Sequence, residues 1–247
     1  MKRWGLAAVG LGTYLVVLVA TAPGTLVDAG LQRASNGRLR LAQAQGTIWA
    51  GAGLIEIRDV GGRNAIARDI SWRVLPQSLL RGRLVCEVAL DRAARQFPVT
   101  ISFSQVELAS AELSFPAAVL ALAEPRLKPL RLSGDVLLHA TNLSIGRDGM
   151  HGNVTLQWRA AGSAFSPVSP IGSYELRLDG QGNTVHALLS TLQGPMQLDG
   201  SGSWTNGANP EFHATVRVPP QYQEQLTPLL RMISVQRDEG SFELQLK

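Results

Sequence analysis

The chain has 247 residues, of which 45% are hydrophobic and 17% are charged, and its formal net charge at pH 7 is +4. This composition is typical of a globular protein and argues against an intrinsically disordered chain. The basic residues are mostly single arginines without interleaved aromatics, which argues against nucleic-acid binding. Cys86 is the only cysteine, so an intrachain disulfide is excluded.

The N-terminal segment predicts a membrane anchor. Lys2 and Arg3 precede a run without charged residues that extends from Trp4 to Val27. At about 1.5 Å per residue, this run is long enough to cross the roughly 30 Å of bilayer hydrocarbon as a helix. We therefore expect residues 1–28 to form a cytoplasmic tip and a transmembrane helix. The positive-inside rule then places residues 29–247, as one β domain, on the other side of the membrane.

A cleaved signal peptide is the alternative reading of this segment, because Ala20-Thr21-Ala22 resembles a cleavage site. The apolar run, however, is longer than the hydrophobic region of a usual signal peptide. Pro23 would also follow the scissile bond directly, where its fixed ring fits a protease cleft poorly. These features favour an uncleaved anchor. Pro23 also favours a second, short helix over residues 22–35.

The sequence from residue 37 onward predicts strands. Apolar and polar residues alternate there with a period of two; Val154, Leu156 and Trp158, for example, alternate with Thr155 and Gln157. Such alternation is typical of strands with one apolar and one solvated face. Glycine-rich punctuation indicates short connections and antiparallel neighbours. The chain is therefore predicted to be mainly β, with about a dozen strands and few short helices.

Two short helices are predicted within the β region. Ser114 and Pro116 supply the cap and the early proline of one helix. Pro219 and Pro220 precede the other, in which Pro228 is expected to break or restart the helix.

The stretch Gly46-Thr47-Ile48-Trp49-Ala50-Gly51 places a large aromatic side chain between two glycines. Glycine within a strand marks a bend or a close backbone approach, and it leaves a space that a large neighbour can fill. Trp49 is therefore predicted to be a packing anchor at a bend, without a chemical role. The predicted structural anchors are Gly46, Trp49, Gly51, Trp72 and Trp204.

Glycines also recur on the apolar phase of later strands, at Gly134, Gly152, Gly200 and Gly202. A large apolar face with only two short helices to cover it is not stable in water. The sheet can close as a sandwich, as a barrel, or as a trough that a lipid or a partner fills. The glycines favour strong curvature, so we expect a curved, elongated antiparallel sheet that forms a trough or an incomplete barrel. Its predicted apolar groove is lined by Leu84, Val136, Val154, Leu156, Leu176 and Leu198.

The histidines argue against an enzyme. His139, His151, His186 and His213 each fall on the polar phase of a strand and lack the spacing of metal ligands. No motif for a catalytic nucleophile, a phosphate or a dinucleotide is present in the sequence. The sequence therefore predicts a protein without catalytic residues, metal or cofactor.

With these features in place, the sequence resembles the type II secretion system protein N family along residues 1–247. The resemblance lies in the N-terminal apolar segment and in four later blocks, taken in order. These are Gly46 to Gly51; Trp72 to Pro76 with Leu79 to Gly82; Pro170 to Tyr174; and Leu192 to Pro195 running on through Trp204. The resemblance implies an accessory component of the apparatus that exports folded proteins across the Gram-negative outer membrane.

The resemblance also implies a location and partners. The protein is expected in the cell inner membrane as a single-pass protein, with its N-terminus in the cytoplasm and its body in the periplasm. Its expected partners are other inner-membrane components of the secretion apparatus. The sequence is also similar to AsmA-like proteins, whose elongated β-sheets form grooves associated with lipid movement. Lipid binding or lipid transfer, with phospholipid as the ligand, is therefore the alternative function.

Overall fold

The structure, a computed structural model, describes residues 2–58, 65–91, 96–123, 125–205, 211–233, 235–238 and 241–245. The chain divides into two compact units, Met1–Ile101 and Ser102–Lys247, which we call the first unit and the second unit. The boundaries expected from the sequence, at residues 1–28 and 29–247, stay a prediction.

The first unit consists of two helices followed by a five-stranded antiparallel meander. Its elements are α1 (Lys2–Ala20), α2 (Thr25–Ala34), β1 (Leu39–Gly46), β2 (Ala50–Arg58), β3 (Ala65–Leu75), a 3₁₀ helix (Pro76–Arg81), β4 (Leu84–Leu90) and β5 (Phe97–Ile101). Each strand pairs with the next one along the chain. Short connections dictate this order, because they bring successive strands side by side in opposite directions.

The N-terminal helices differ from the expected anchor. Helix α1 ends at Ala20 and α2 begins at Thr25, so the uncharged run to Val27 is divided between two helices. Pro23, which favoured a new helix, lies in the break and forms an isolated bridge with Thr47. Across the described residues, no helix combines the length and the apolar character needed to cross a membrane. The transmembrane helix expected within residues 1–28 is therefore not supported.

The second unit is an antiparallel sheet with short helical segments. Its strands are β6 (Gln105–Pro116), β7 (Ser133–Gly146), β8 (Gly149–Gly162), β9 (Gly172–Gly182), β10 (Thr184–Gln193), β11 (Gln197–Thr205), β12 (Glu211–Arg217), β13 (Val235–Asp238) and β14 (Ser241–Gln245). Its helices are two 3₁₀ segments, Ala117–Val119 and Pro125–Leu130, with α3 (Leu120–Ala123) between them, and α4 (Pro220–Ile233). The strands follow chain order from β6 to β12, after which β14 and then β13 complete the sheet.

All strand pairs described in both units are antiparallel. The hairpins are tight: Gly146 pairs with Gly149 across Arg147 and Asp148, as the glycine punctuation predicts. The prediction of a mainly β, antiparallel chain with few short helices is confirmed.

Helix α4 provides the packed core of the second unit. Leu226 and Leu229 are buried against Met196 and Val216 at one end of the strands. The helix continues through Pro228, so the expectation that this proline would break it is wrong. Pro228 is exposed, and the buried leucines on either side of it hold the helix on the sheet. Tertiary burial here outweighs the lost hydrogen bond of a proline within a helix.

Candidate interaction site

The glycine–tryptophan stretch of the first unit forms the turn between β1 and β2. Gly46 has a φ of +88° and pairs with Gly51 across the turn. A side chain at Gly51 would overlap the ring of Trp72, which lies directly opposite on β3. Trp72 is only 7% exposed, and its indole nitrogen donates to the carbonyl of Thr47 at 3.2 Å. Trp72 thus fills the space that Gly51 leaves.

Trp49 lies in the same turn but contacts a different element. Its side chain is half-buried, and its indole nitrogen donates to the carbonyl of Val19, in the last turn of α1, at 2.9 Å. Backbone bonds continue the attachment, because Ile48 donates to Ala22 and Gly24 donates to Gly46, each at 3.0 Å. The turn therefore holds the C-terminal end of α1 against the sheet.

An open apolar depression of about 530 Å³ lies where α1 meets this turn. It is lined by Leu15, Val16, Val19, Ala20, Trp49 and Pro76. The large apolar side chains of α1 from Leu11 to Val19 are exposed. A helix that is apolar all round requires a covering surface, because contiguous apolar patches of this kind mark interaction sites.

Asp28 fixes α2 beside this site. Its carboxylate accepts the backbone N–H of Leu41 and the side-chain amide of Gln32, both at 2.7 Å. Burial opposes ionisation, but these two hydrogen bonds, together with the nearby arginines, hold the pKa of Asp28 below its ordinary value. The ionised carboxylate therefore joins α2 to β1.

In the second unit, two of the sequence blocks meet around Tyr174. Its side chain is buried, and its hydroxyl donates to the carbonyl of Met196 at 3.0 Å. Burial raises the pKa of Tyr174. The ring of Trp158 lies 6.1 Å away and its indole nitrogen donates to Ser133. A side chain at Gly194 would strike Gly172, so glycines from both blocks permit the close approach.

Trp204 is on β11, in the second unit. It is half-buried and stands opposite Val185 of β10. Gly46, Trp49, Gly51 and Trp72 are brought together in the first unit, whereas Trp204 belongs to the second.

Five of the six residues predicted to line an apolar groove share one face of the second unit. Leu156 is directly opposite Leu176, and Val136 is opposite Trp158 on the same phase. Leu198 packs at the core beneath α4. Val136 is buried, and the other four are half-buried. Leu84 lies in the first unit, where it pairs with Ile101.

The opposite face of the same strands carries a polar depression that the sequence did not single out. Its volume is about 660 Å³, and its lining includes Asn153, Arg177, Asp179, His186, Glu211 and His213. The register aligns these side chains: Asp179 is opposite His186, which is opposite Ser203 on β11. The sequence does show that these residues lie on the polar face of each strand. It does not show which of them stand side by side on neighbouring strands, because that depends on the register.

The depression is suited to polar contacts. All four histidines of the chain are exposed, as their strand phase predicts. Within the described part of the chain, no three metal-binding side chains come together. The arrangement offers hydrogen-bond donors, acceptors and charges of both signs to a polar surface.

Next to the depression, Glu175 is a buried carboxylate. It accepts hydrogen bonds from Gln157 at 2.7 Å and from Nε of Arg177 at 2.6 Å. The hydrogen bond from Gln157, together with Arg177, outweighs burial and holds the pKa of Glu175 below its ordinary value. The cluster fixes Arg177 at the rim of the depression.

These features define a mainly antiparallel β protein with an apolar N-terminal helix hydrogen-bonded to its first hairpin. The sequence model described as "Type II secretion system (T2SS), protein N" matches residues 37–245. Because this match covers most of the chain, the protein belongs to the type II secretion system protein N family. No curated protein and no solved structure matches the chain.

Proposed function

We propose that this protein is an accessory inner-membrane component of the type II secretion system that supports export of folded proteins from the periplasm across the outer membrane. The observation that carries the proposal is the family match over residues 37–245. In this role the protein works by contacts with other components of the apparatus and catalyses no reaction. The polar depression of the second unit and the exposed helix α1 are the surfaces available for such contacts.

We further propose that the protein is located at the inner membrane, with its N-terminal segment attached to the bilayer and its β units in the periplasm. The uncharged run from Trp4 to Val27 supports this attachment. The exposed apolar side chains of α1 support a lipid environment, since water does not tolerate them. Protease added to spheroplasts should digest the β units, and mass spectrometry should find an intact N-terminus. A mature chain that begins near Pro23 would refute the attachment.

Deletion of the gene tests the secretion role. We expect substrates of the apparatus to accumulate in the periplasm and to decrease in the culture medium, with restoration by a plasmid copy. A periplasmic protein that does not leave the cell is the control, because its level should not change. Unimpaired secretion in the deletion strain would argue against the proposal.

Lipid binding by a curved, trough-like sheet is the second candidate function. The apolar face that holds Val154, Leu156 and Leu176 favours it, because these side chains are only half-buried. Register shifts in β7 and β8 add local bends, which favour curvature of this sheet.

Native mass spectrometry of protein purified in mild detergent tests the trough. Bound phospholipid is expected, and Leu156→Arg should abolish it without unfolding the chain. Thr155→Arg is the matched control, since Thr155 lies on the polar face of the same strand. Absence of lipid from the unmodified protein, or equal loss in both variants, would reject this function.

A further inference from the structure

The 3₁₀ helix Pro76–Arg81 presents apolar and basic side chains together in the first unit. Leu80 is 92% exposed, and Leu79 and Leu75 are also exposed. Arg81 and Arg83 are exposed beside them. We call this set, Leu79, Leu80, Arg81 and Arg83, the leucine–arginine turn. A single exposed leucine needs no explanation, but two adjacent exposed leucines followed by two arginines are a combination typical of lipid interfaces.

The exposure of Leu80 is built into an ordered turn. The hydroxyl of Ser78 donates to the carbonyl of Leu75 at 2.6 Å and accepts the N–H of Val85 at 3.0 Å. The turn closes with Gly82, which donates to Leu79 at 3.0 Å. Both ends of the segment are thus hydrogen-bonded, and Leu80 lies exposed between them.

The turn adjoins the apolar end of α1. Pro76, the first residue of the 3₁₀ helix, lines the open apolar depression that Val19 and Trp49 also line. Pro76 also lines a second depression, of about 640 Å³, together with Arg81 and Arg83. One continuous surface therefore passes from an apolar helix through a tryptophan to two arginines.

The two arginines have no acidic partner within the described residues. The ion pairs described there involve other arginines, namely Arg58, Arg68, Arg177 and Arg217. Two exposed guanidinium groups that form no ion pair with a carboxylate are suited to bind a surface that carries anions. Phosphate groups of a bilayer supply them at the depth where tryptophan is commonly found.

We propose that the leucine–arginine turn docks on an anionic phospholipid bilayer, with Leu80 inserted among the acyl chains and Arg81 and Arg83 bound to headgroup phosphates. This inference rests on the proposed membrane attachment of the chain. It adds a second contact with the membrane, so that the first unit lies against the bilayer surface. The occupant is lipid, because the surface combines apolar insertion with unpaired positive charge.

Spin labels on the full chain in lipid nanodiscs test the docking. Cys86→Ser removes the native thiol, and Leu80→Cys then carries a nitroxide in discs that contain phosphatidylglycerol. We expect collisions with oxygen to dominate over those with a water-soluble nickel reagent. Leu188→Cys, on an exposed residue of the second unit, is the matched control and should behave as an aqueous site.

The arginines are tested in the same labelled protein. The measured quantity is the ratio of Leu80→Cys nitroxide in the membrane to nitroxide in water. Each neutral replacement, Arg81→Gln or Arg83→Gln, should lower this ratio about fivefold. Discs of phosphatidylcholine alone should lower it further, because both arginines lose the anionic surface. Added salt should reduce the effect of the arginines. An unchanged ratio in both variants and in neutral discs would overturn the role of the arginines.

A label at Leu15 separates this inference from the proposed attachment. If Leu15→Cys reports lipid while Leu80→Cys reports water, only the docking of the turn fails. If Leu15→Cys also reports water, the membrane attachment itself fails. A Leu80 label shielded from both reagents would indicate a protein contact, and it would overturn lipid docking.

Discussion

At the residue scale, two tryptophans that serve the same turn differ in what they contribute. Trp72 is buried against Gly51, whereas Trp49 is half-buried and bonded to the end of α1. The burial of Trp72 makes it a source of folding free energy. The position of Trp49 makes it a joint between two elements.

Trp72→Ala should therefore lower the free energy of unfolding by about 3–5 kcal/mol, because a large buried side chain is removed. Trp49→Phe should cost only about 1 kcal/mol, the value of one hydrogen bond in a half-exposed site. Denaturant unfolding of the purified chain in detergent, followed by fluorescence and circular dichroism, measures both. Equal costs for the two variants would contradict this assignment.

Glu175 predicts an acid dependence of stability. Its folded pKa lies below the ordinary value of 4.5, so the folded state favours the ionised form. The resulting stabilisation is fully present above about pH 4.5 and is lost as the pH falls through the lower, folded pKa. Glu175→Gln keeps an acceptor for Gln157 but removes the charge, and it should flatten this part of the curve of unfolding free energy against pH. An unchanged curve would show that the contribution comes from other carboxylates.

At the element scale, helix α4 covers the apolar core of the second unit, although Pro228 lies within the helix. Leu226 is fully buried, while the neighbouring Gln225 is exposed. Leu226→Ala should lower the free energy of unfolding by about 2–5 kcal/mol, and Gln225→Ala should leave it nearly unchanged. Thermal unfolding monitored by circular dichroism compares the two. A large loss in Gln225→Ala would place the buried face elsewhere.

For Pro228, in contrast, we expect a substitution to raise the free energy of unfolding. Pro228→Ala restores a backbone donor within α4 and removes a steric conflict with the preceding turn. The gain exceeds the entropy that proline removes from the unfolded chain, so the free energy of unfolding should rise by about 2 kcal/mol. Denaturant titration checks the sign, and a loss of stability would show that the helix depends on the proline.

The sequence pattern predicted most of the strands and which of their residues share a face. The alternation of Val154 and Leu156 with Thr155 assigns the two faces of β8, because a strand has a period of two. The periodicity does not fix which residues of neighbouring strands stand opposite each other. The pairing of Trp72 with Gly51, and the alignment of Asp179 with His186, depend on that register. Because the register is not visible in the sequence, the pattern singled out Trp49 rather than Trp72 as the anchor, and it did not indicate the polar depression.

At the scale of the whole molecule, the division into two units predicts separable unfolding. Trp72→Ala should increase hydrogen exchange of the first unit and leave the β8–β10 amides of the second unit protected. Leu226→Ala should do the reverse, since local stability follows local packing. Mass spectrometry after proteolysis resolves the two regions. A parallel loss of protection in both units would mean that the chain unfolds as one cooperative body.

The joint between α1 and the first hairpin also has a mechanical consequence. Three hydrogen bonds form this joint: Trp49 donates to Val19 of α1, Ile48 donates to Ala22 just after the helix, and Gly24 donates to Gly46 of β1. These bonds couple the orientation of α1 to that of the first hairpin. We therefore expect a tilt of α1 to turn the first hairpin with it.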